Sequence, residues 1–408
     1  MPPRELEGRR LWFVGIGGAG MSALAFVAAA WGAQVAGSDR RRSRFVPRLE
    51  EAGIRVVLGE HRAENVPAGS EVIVSSAIAS GNPELTAPGA TAVRHRAELL
   101  AELVSLRPSI VVGGAHGKTT TAAMIAFCLV QLGRDPTFLI GSEVPQLGGN
   151  AGAGQGWLVA EGDESDRSIE LLVPTVAVLT NVDHDHHSTF ASRAEVEESL
   201  ERWLARARYV VRAEELEPVD LELAVPGEHN RRNAAAALAA LELAGVPRAE
   251  AEPLVARYRG AGHRWERAGE SAGVAVVTDY GHHPAEIAAT IATARELARG
   301  RVLVVFRPLR YSRTRYLARE LAASLAAADV VAVAEVYGAD EPELDGVSGK
   351  LIVDALAERR PGMPLAWTPD LADAARFVAR RARPGDIVLA QGADDVVTAA
   401  PLVLEALA

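Results

Sequence analysis

The chain has 408 residues, enough for two or three domains at roughly 150 residues each. Apolar residues make up 49% and charged residues 24%, a globular balance that excludes a disordered or fibrous chain. A net charge of −10 without a basic block argues against nucleic acid or an anionic membrane as partner, and the single cysteine, Cys128, excludes an internal disulfide framework and fits a reducing, cytoplasmic setting.

The basic residues are unevenly drawn. Only Lys118 and Lys350 are lysines, against 41 arginines, so each lysine is a candidate for a task that a guanidinium does not perform.

From Leu11 to Ser38 run 28 residues without a charge, but six glycines interrupt them. The longest glycine-free piece, Met21 to Trp31, would rise about 16 Å as a helix against a hydrocarbon core of about 30 Å. The segment therefore reads as a strand over Leu11 to Val14, a glycine turn and a buried helix, followed by a second strand ending at Gly37-Ser38-Asp39. In the turn, Gly15, Gly17 and Gly20 have the spacing that lets a backbone approach a pyrophosphate at a helix N-terminus, with Gly18 between them. The alternative is that these glycines serve only close packing of helix on sheet. Asp39 reads either as a ribose contact or as a turn residue. A further strand near Glu71 to Ser75 carries the alternation on to about Leu106.

The second block opens with an apolar strand at Ser109 to Val112 and turns into Gly114-Ala115-His116-Gly117-Lys118-Thr119-Thr120 before a helix to about Leu132. This is a shortened phosphate loop, since Val112 stands where the full spacing has glycine; Lys118 is placed to reach phosphates and Thr119 to offer its hydroxyl to magnesium. A plain glycine-rich helix start is the alternative. Strands follow at Trp157 to Ala160, Val176 to Thr180, Tyr209 to Val211 and Leu221 to Val225. Glu161 through Asp166 follows the first of these and Asn181 through His187 the second, where carboxylates and a histidine converge on a metal and phosphates in an α/β sheet. A solvated acidic loop and a zinc site are the competing readings. Before the alanine-rich helix from Arg231, Asn230 and Asn233 read equally well as helix caps or as amides for a base edge.

The third block alternates most regularly, with strands at Val274 to Thr278, Val302 to Phe306, Val330 to Ala334 and Ile387 to Ala390. Asp279-Tyr280-Gly281-His282-His283-Pro284 follows the first and Arg310-Tyr311-Ser312-Arg313-Thr314 the second, positions that suit an anionic substrate or alternatively a structural salt-bridge cluster.

Taken in order, these motifs resemble the Mur ligase family. The resemblance is carried by Gly15 to Met21 with Gly37-Ser38-Asp39, Ser75-Ser76-Ala77-Ile78 with Asn82-Pro83-Glu84, His116 through Thr121, Glu161 through Asp166 and Asn181 through His186. It continues through Pro226-Gly227, His229-Asn230, Gly262 through Glu266, Asp279 through Pro284 and Arg310 through Thr314, the last two favouring the alanine-adding branch. It implies an α/β protein of three domains: a Rossmann-like domain at 1–107 for a UDP-sugar, a P-loop-type ATPase domain with a mostly parallel sheet at 108–261, and a Rossmann-like domain at 262–408 that closes on nucleotide and amino acid. The activity implied is ligation of L-alanine to UDP-N-acetylmuramate through an acyl phosphate, with ATP and Mg2+, by a cytoplasmic monomer or homodimer. By that similarity Gly15, Gly17, Gly18, Gly20, Asp39, Ser75 and Ser76 bind the UDP-sugar. Gly114, His116, Gly117, Lys118, Thr119, Thr120, Asn230, Asn233, Arg264 and Asp279 bind ATP, and Thr119, Glu161 and His186 hold metal. Lys118, Glu161, His186, His282, Arg310 and Arg313 carry the chemistry, the last three by orienting the carboxylates of the acceptor and the amino acid. Only 44 residues separate Asn181 from Pro226, a shortened centre, and no lysine occurs between 119 and 349 to form a carbamylated metal ligand. A ligase-like protein that binds nucleotide but has altered or lost turnover is the second expectation. A nicotinamide dehydrogenase built on the first block is the third, disfavoured by the phosphate loop.

Overall fold

A computed structural model describes residues 5–185, 189–339 and 341–408. The chain folds as three α/β domains, each built on a sheet, and clusters into two compact units. Among the described residues the first unit takes 5–184 with 189–224 and 231–261; the second takes 185, 225–230, 262–339 and 341–408.

In the first unit, β1 (Arg10–Val14), β2 (Gln34–Asp39), β3 (Arg55–Leu58), β4 (Ser70–Val74) and β5 (Ala90–His95) form an all-parallel sheet of order β3-β2-β1-β4-β5. The order reverses at β1, so the turns after β1 and β4 open side by side, the crevice where such sheets hold ligands. The next strands are β6 (Ser109–Gly113), β7 (Thr137–Val144), β8 (Gly149–Gly152), β9 (Leu158–Glu161), β10 (Val176–Leu179) and β11 (Tyr209–Arg212), in the order β11-β10-β6-β9-β7-β8. Only the β7-β8 hairpin is antiparallel. All five residues of β6 are buried, as expected of a strand covered on both faces by helices. One apolar cluster joins Phe13, Ile73 and the helix Ala19–Ala30 to Ala151, Leu158, Ile169 and Trp203, so the two sheets of this unit share a core.

The expected strand at Leu221 to Val225 does not form. The segment is an irregular stretch between Pro218 and Pro226, and the Ala224 N–H donates to the Ala256 carbonyl rather than to a strand.

The second unit holds β12 (Glu266–Ser271), β13 (Val274–Asp279), β14 (Val302–Arg307), β15 (Val330–Val333), β16 (Leu365–Trp367) and β17 (Ile387–Gly392), in the order β12-β13-β17-β14-β15-β16. β12 is antiparallel and the others are parallel. Successive residues of each strand feed opposite cores. Val304 and Phe306 pack with Ile287, Ile291 and Leu321, while Leu303 and Val305 pack with Ala375, Val378 and Val403.

Candidate active site

The glycine turn leaves β1 and is pinned to the end of β2. The N–H groups of Gly15 and Ile16 both donate to the Ser38 carbonyl, at 2.8 and 3.0 Å, and the Gly17 N–H donates to Asp39 Oδ2 at 2.9 Å. Gly18 caps the helix Ala19–Ala30, whose first turn contains Gly20 and no acidic residue, so its free N–H groups and dipole are open to an anion. Asp39 thus fastens the turn. Across the crevice, Ser75 starts a turn closed by the Ile78 N–H, with Ile78 packed near Gly15, and the Ser76 hydroxyl donates to Asp166 Oδ2 at 2.7 Å.

Beneath this crevice lies a residue whose role the sequence did not disclose. Glu84 is fully buried and accepts from Trp12 Nε1 at 2.9 Å, Ser38 Oγ at 2.5 Å and Asn65 Nδ2 at 2.8 Å. One carboxylate therefore ties β1 to the end of β2, which fixes the wall on which the glycine turn is hung.

The second turn follows β6 with the same strand, glycine and helix plan but different chemistry. Gly117 has φ +82°, a conformation that favours glycine, and a Cβ there would press on the Asn233 side chain. Asn181, at the end of β10, clamps the loop. Its side chain accepts from the His116 N–H and donates to the His116 carbonyl, both at 2.9 Å, and its own carbonyl accepts from Ala115. The His116 ring faces Asp183 at 3.3 Å. Lys118 opens the helix Lys118–Gln131 and folds its ammonium back to the carbonyls of Gly114 and Ala115, at 2.5 and 3.3 Å, and to Glu164 Oε1 at 2.9 Å. Burial alone would depress this amine, but Glu164, with Asp163 and Glu161 nearby, holds it above its ordinary value. Thr119 donates its hydroxyl to Glu161 Oε2 at 3.0 Å, while Thr120 is buried one residue further on. Glu161, the last residue of β9, also takes the Gly141 N–H at 2.6 Å. His186 lies outside the described residues. Cys128, buried in the same helix, has its thiol pushed up to about 12 by desolvation, which disfavours the nucleophilic thiolate near pH 7.

Asn230 and Asn233 both fall inside the helix Glu228–Leu243, which removes the capping reading. Asn233 faces Gly117, and Asn230 donates from Nδ2 to the Pro226 carbonyl at 2.7 Å.

In the second unit the turn after β13 is a polar knot. Asp279 Oδ1 accepts from the Gly281 N–H at 2.8 Å and Thr290 Oγ1 at 3.1 Å, while Oδ2 takes the Trp265 N–H at 3.0 Å. Arg264 pairs with Glu286 at 3.3 Å, and its guanidinium lies over the Tyr280 ring. His282 packs edge-on to Tyr280 and faces the Tyr280 carbonyl through Nδ1 at 2.9 Å. Burial, and then Arg313, lower its imidazole to about 4, so the ring is neutral near pH 7. A ring nitrogen facing a carbonyl carries the proton, which leaves Nε2 as an acceptor. Arg310 is held at φ +68°, a strained backbone for an arginine, with its N–H donating to the Tyr337 carbonyl at 2.8 Å. Arg313 is buried and clasped by Asp185 through Nε at 3.2 Å and Nη2 at 2.8 Å.

Comparison with known proteins agrees with this layout. Residues 10–107 match the "Mur ligase family, catalytic domain", 112–211 the "Mur ligase middle domain" and 263–394 the "Mur ligase, glutamate ligase domain". The UDP-N-acetylmuramate–L-alanine ligase of Kineococcus radiotolerans is 41% identical over 98% of this chain and 96% of its own length. That of Gloeobacter violaceus is 38% identical over 96% and 95%. The Kineococcus alignment spans 458 positions against the 408 residues here, so that relative carries segments this chain lacks. Among solved structures, the UDP-N-acetylmuramate-alanine ligase of Thermotoga maritima superposes with a TM-score of 0.81 at 26% identity, covering 97% of this chain and 98% of that one. The chain belongs to the Mur ligase family.

Proposed function

We propose that the chain is an ATP-dependent ligase that joins L-alanine to UDP-N-acetylmuramate through an acyl phosphate, a step in peptidoglycan precursor synthesis. ATP transfers its γ-phosphoryl group to the muramoyl carboxylate, and the alanine amine displaces phosphate to leave an amide, ADP and phosphate. The domains are read as 1–107 for the UDP-sugar, 108–261 for ATP and 262–408 for nucleotide and amino acid.

The observation that carries this reading is the segment Glu161 to Asp166. In one stretch it sends Glu161 to Thr119, Glu164 to Lys118 and Asp166 to Ser76, linking the phosphate loop to the crevice of the first sheet. Positioning and charge neutralisation dominate phosphoryl transfer, so a bridge of this kind suits it. The hydroxyl and carboxylate oxygens of Thr119 and Glu161, 3.0 Å apart, are the hard donors that magnesium takes, and His186 is the third ligand in this reading. Bound Mg2+ would neutralise charge on the phosphates. Lys118 grips phosphate oxygens once it leaves Glu164, Asn181 holds the loop in shape, and Asn230 and Asn233 lie toward the adenine. Arg264 and Asp279 serve the nucleotide from the last domain. Arg310 and Arg313 bind carboxylate, whereas a neutral His282 with Nε2 accepting suits the ammonium of the amino acid better than a carboxylate.

Release of phosphate from ATP that depends on both UDP-N-acetylmuramate and L-alanine tests the reading. Turnover without either, or none with both, sinks it; nucleotide binding without turnover would favour the divergent-binder alternative, which the short stretch after Asn181 motivates.

A further inference from the structure

Arg96 opens the helix Arg96–Ser105 at the end of β5 and reaches the glycine turn from the side. A Cβ built on Gly20 would lie 3.0 Å from Arg96 Nη1, so the guanidinium tip lies against the first turn of the helix Ala19–Ala30, and a side chain at Gly20 would press on it. Its other terminal nitrogen, Nη2, is held by Asp163 in a short ion pair. Asp163 is itself fastened by the Ser165 N–H at 2.9 Å, on the segment that carries Glu161 and Glu164. A cation beside a helix N-terminus is opposed by the partial positive charge there, and this helix has no acidic residue in its first turn to offset it. Asp163 offsets the repulsion from one side. Nη1 faces the turn, and the arginine side chain stays about a fifth exposed, open to an incoming anion.

We propose that Arg96 is a binding residue for the diphosphate of the acceptor, and that Asp163, supplied by the ATP-binding domain, is the positioning residue that holds it there. The proposal rests on the reading that the UDP-sugar lies on the glycine turn. An arginine offers a phosphate two donors in a fixed plane, and with one edge of the fork anchored by a carboxylate the other loses little freedom on binding. The acceptor site is thereby completed by a side chain outside the glycine motif and oriented by a residue of the neighbouring sheet.

Calorimetric titration with UDP as probe tests this. Arg96→Gln should weaken UDP binding about 10- to 100-fold, the loss expected for a charge-assisted phosphate contact, with the KM for ATP within about two-fold of the parent. Arg96→Lys should recover part of the loss. In Arg96→Gln added salt should weaken UDP binding less than in the parent, because a screened charge contact has been removed, a change that a merely structural role would not produce. Asp163→Asn should weaken UDP binding by less, and the double variant should bind no worse than Arg96→Gln alone. Parent-like UDP affinity in Arg96→Gln, or strictly additive losses, would overturn the proposal while leaving the functional reading intact. If UDP fails to bind the parent protein, or fails to compete with UDP-N-acetylmuramate, the reading of the first domain falls and takes this inference with it.

Discussion

The two glycine turns of the first unit share a plan, a buried strand running into glycines and then a helix, yet they prepare for anions by opposite means. After β6 the loop carries its own cation, and because Lys118 is largely out of water the fold must supply Glu164 as a counter-charge. After β1 the turn carries no cation of its own and offers backbone N–H groups, with Arg96 brought in from a neighbouring helix, so the polar residues around it serve rigidity, through Asp39 on Gly17 and Glu84 beneath. A side-chain grip needs a partner to hold it while empty, whereas a backbone grip needs a frame.

The strongest way to break this contrast is at the cation itself. Lys118→Arg keeps the charge but replaces a point donor with a plane, and the ammonium makes two bonds within 3.3 Å to carbonyls of its own loop that a guanidinium would overfill. Turnover should fall by on the order of 10³-fold or more, measured as acceptor-dependent phosphate release. Near-normal activity would mean that the loop needs only a charge.

At the backbone grip the matching experiment is to remove the frame. Glu84→Ala strips three donors of their acceptor inside the core, at a cost of about 3 kcal/mol in urea denaturation. The KM for UDP-N-acetylmuramate should rise more than the KM for ATP, since the slackened strands carry the glycine turn. An equal rise in both would show that the frame serves the whole unit.

The same contrast explains what the sequence disclosed. Strand, turn and helix units were legible in all three blocks where a buried strand is a run of apolar residues and its turn is marked by glycines, as at β6 and β13, whereas β3, β5, β12 and β16, all at sheet edges, gave no such run. Lys118 and Thr119 stood out because the spacing of a phosphate loop is local, and the structure places both at the start of the helix after β6. The hairpin of β7 and β8 was not, since Gly149-Asn150-Ala151-Gly152 has no alternation and reads as a loop until its partner strand is known. The apolar stretch Leu221 to Val225 misled in the other direction, being an irregular run whose Ala224 N–H pairs with the Ala256 carbonyl at a helix end rather than with a strand. Glu84 and Asn181 were visible only as motif letters, because what they do is set by residues distant in sequence: Trp12 and Ser38 for one, His116 for the other.

A third arrangement, in the second unit, sharpens the contrast by suppressing a cation. His282 falls from an ordinary 6.5 to about 4 in the folded protein, so between those values the unfolded chain binds the extra proton and stability declines as pH drops. Stability is undiminished well above pH 6.5 and has fallen by on the order of 1 kcal/mol by pH 5.5. His282→Gln should flatten that part of the stability profile, followed by denaturation at pH 7 and pH 5.5. An unchanged slope would assign the acid sensitivity to other groups.

The smallest effect concerns the joint between the two grips. Asn150, buried on β8, donates from Nδ2 to the Ala19 carbonyl at 2.9 Å and to Ser22 Oγ at 3.1 Å, in the first turn of the helix that the glycine turn starts. Arg48 makes a second tie nearby, its guanidinium over the Phe26 ring at 4.5 Å and bonded to the Ala151 carbonyl. Because Arg48 remains, Asn150→Ala should cost only about 1 kcal/mol in stability, the worth of one net hydrogen bond. If the joint merely adds stability, both KM values will stay at the parent level. If it sets the distance over which the phosphoryl group must travel, kcat should fall about two- to five-fold with both KM values unchanged, because misplacement between reacting partners is felt in the transition state and not in the binding of either one.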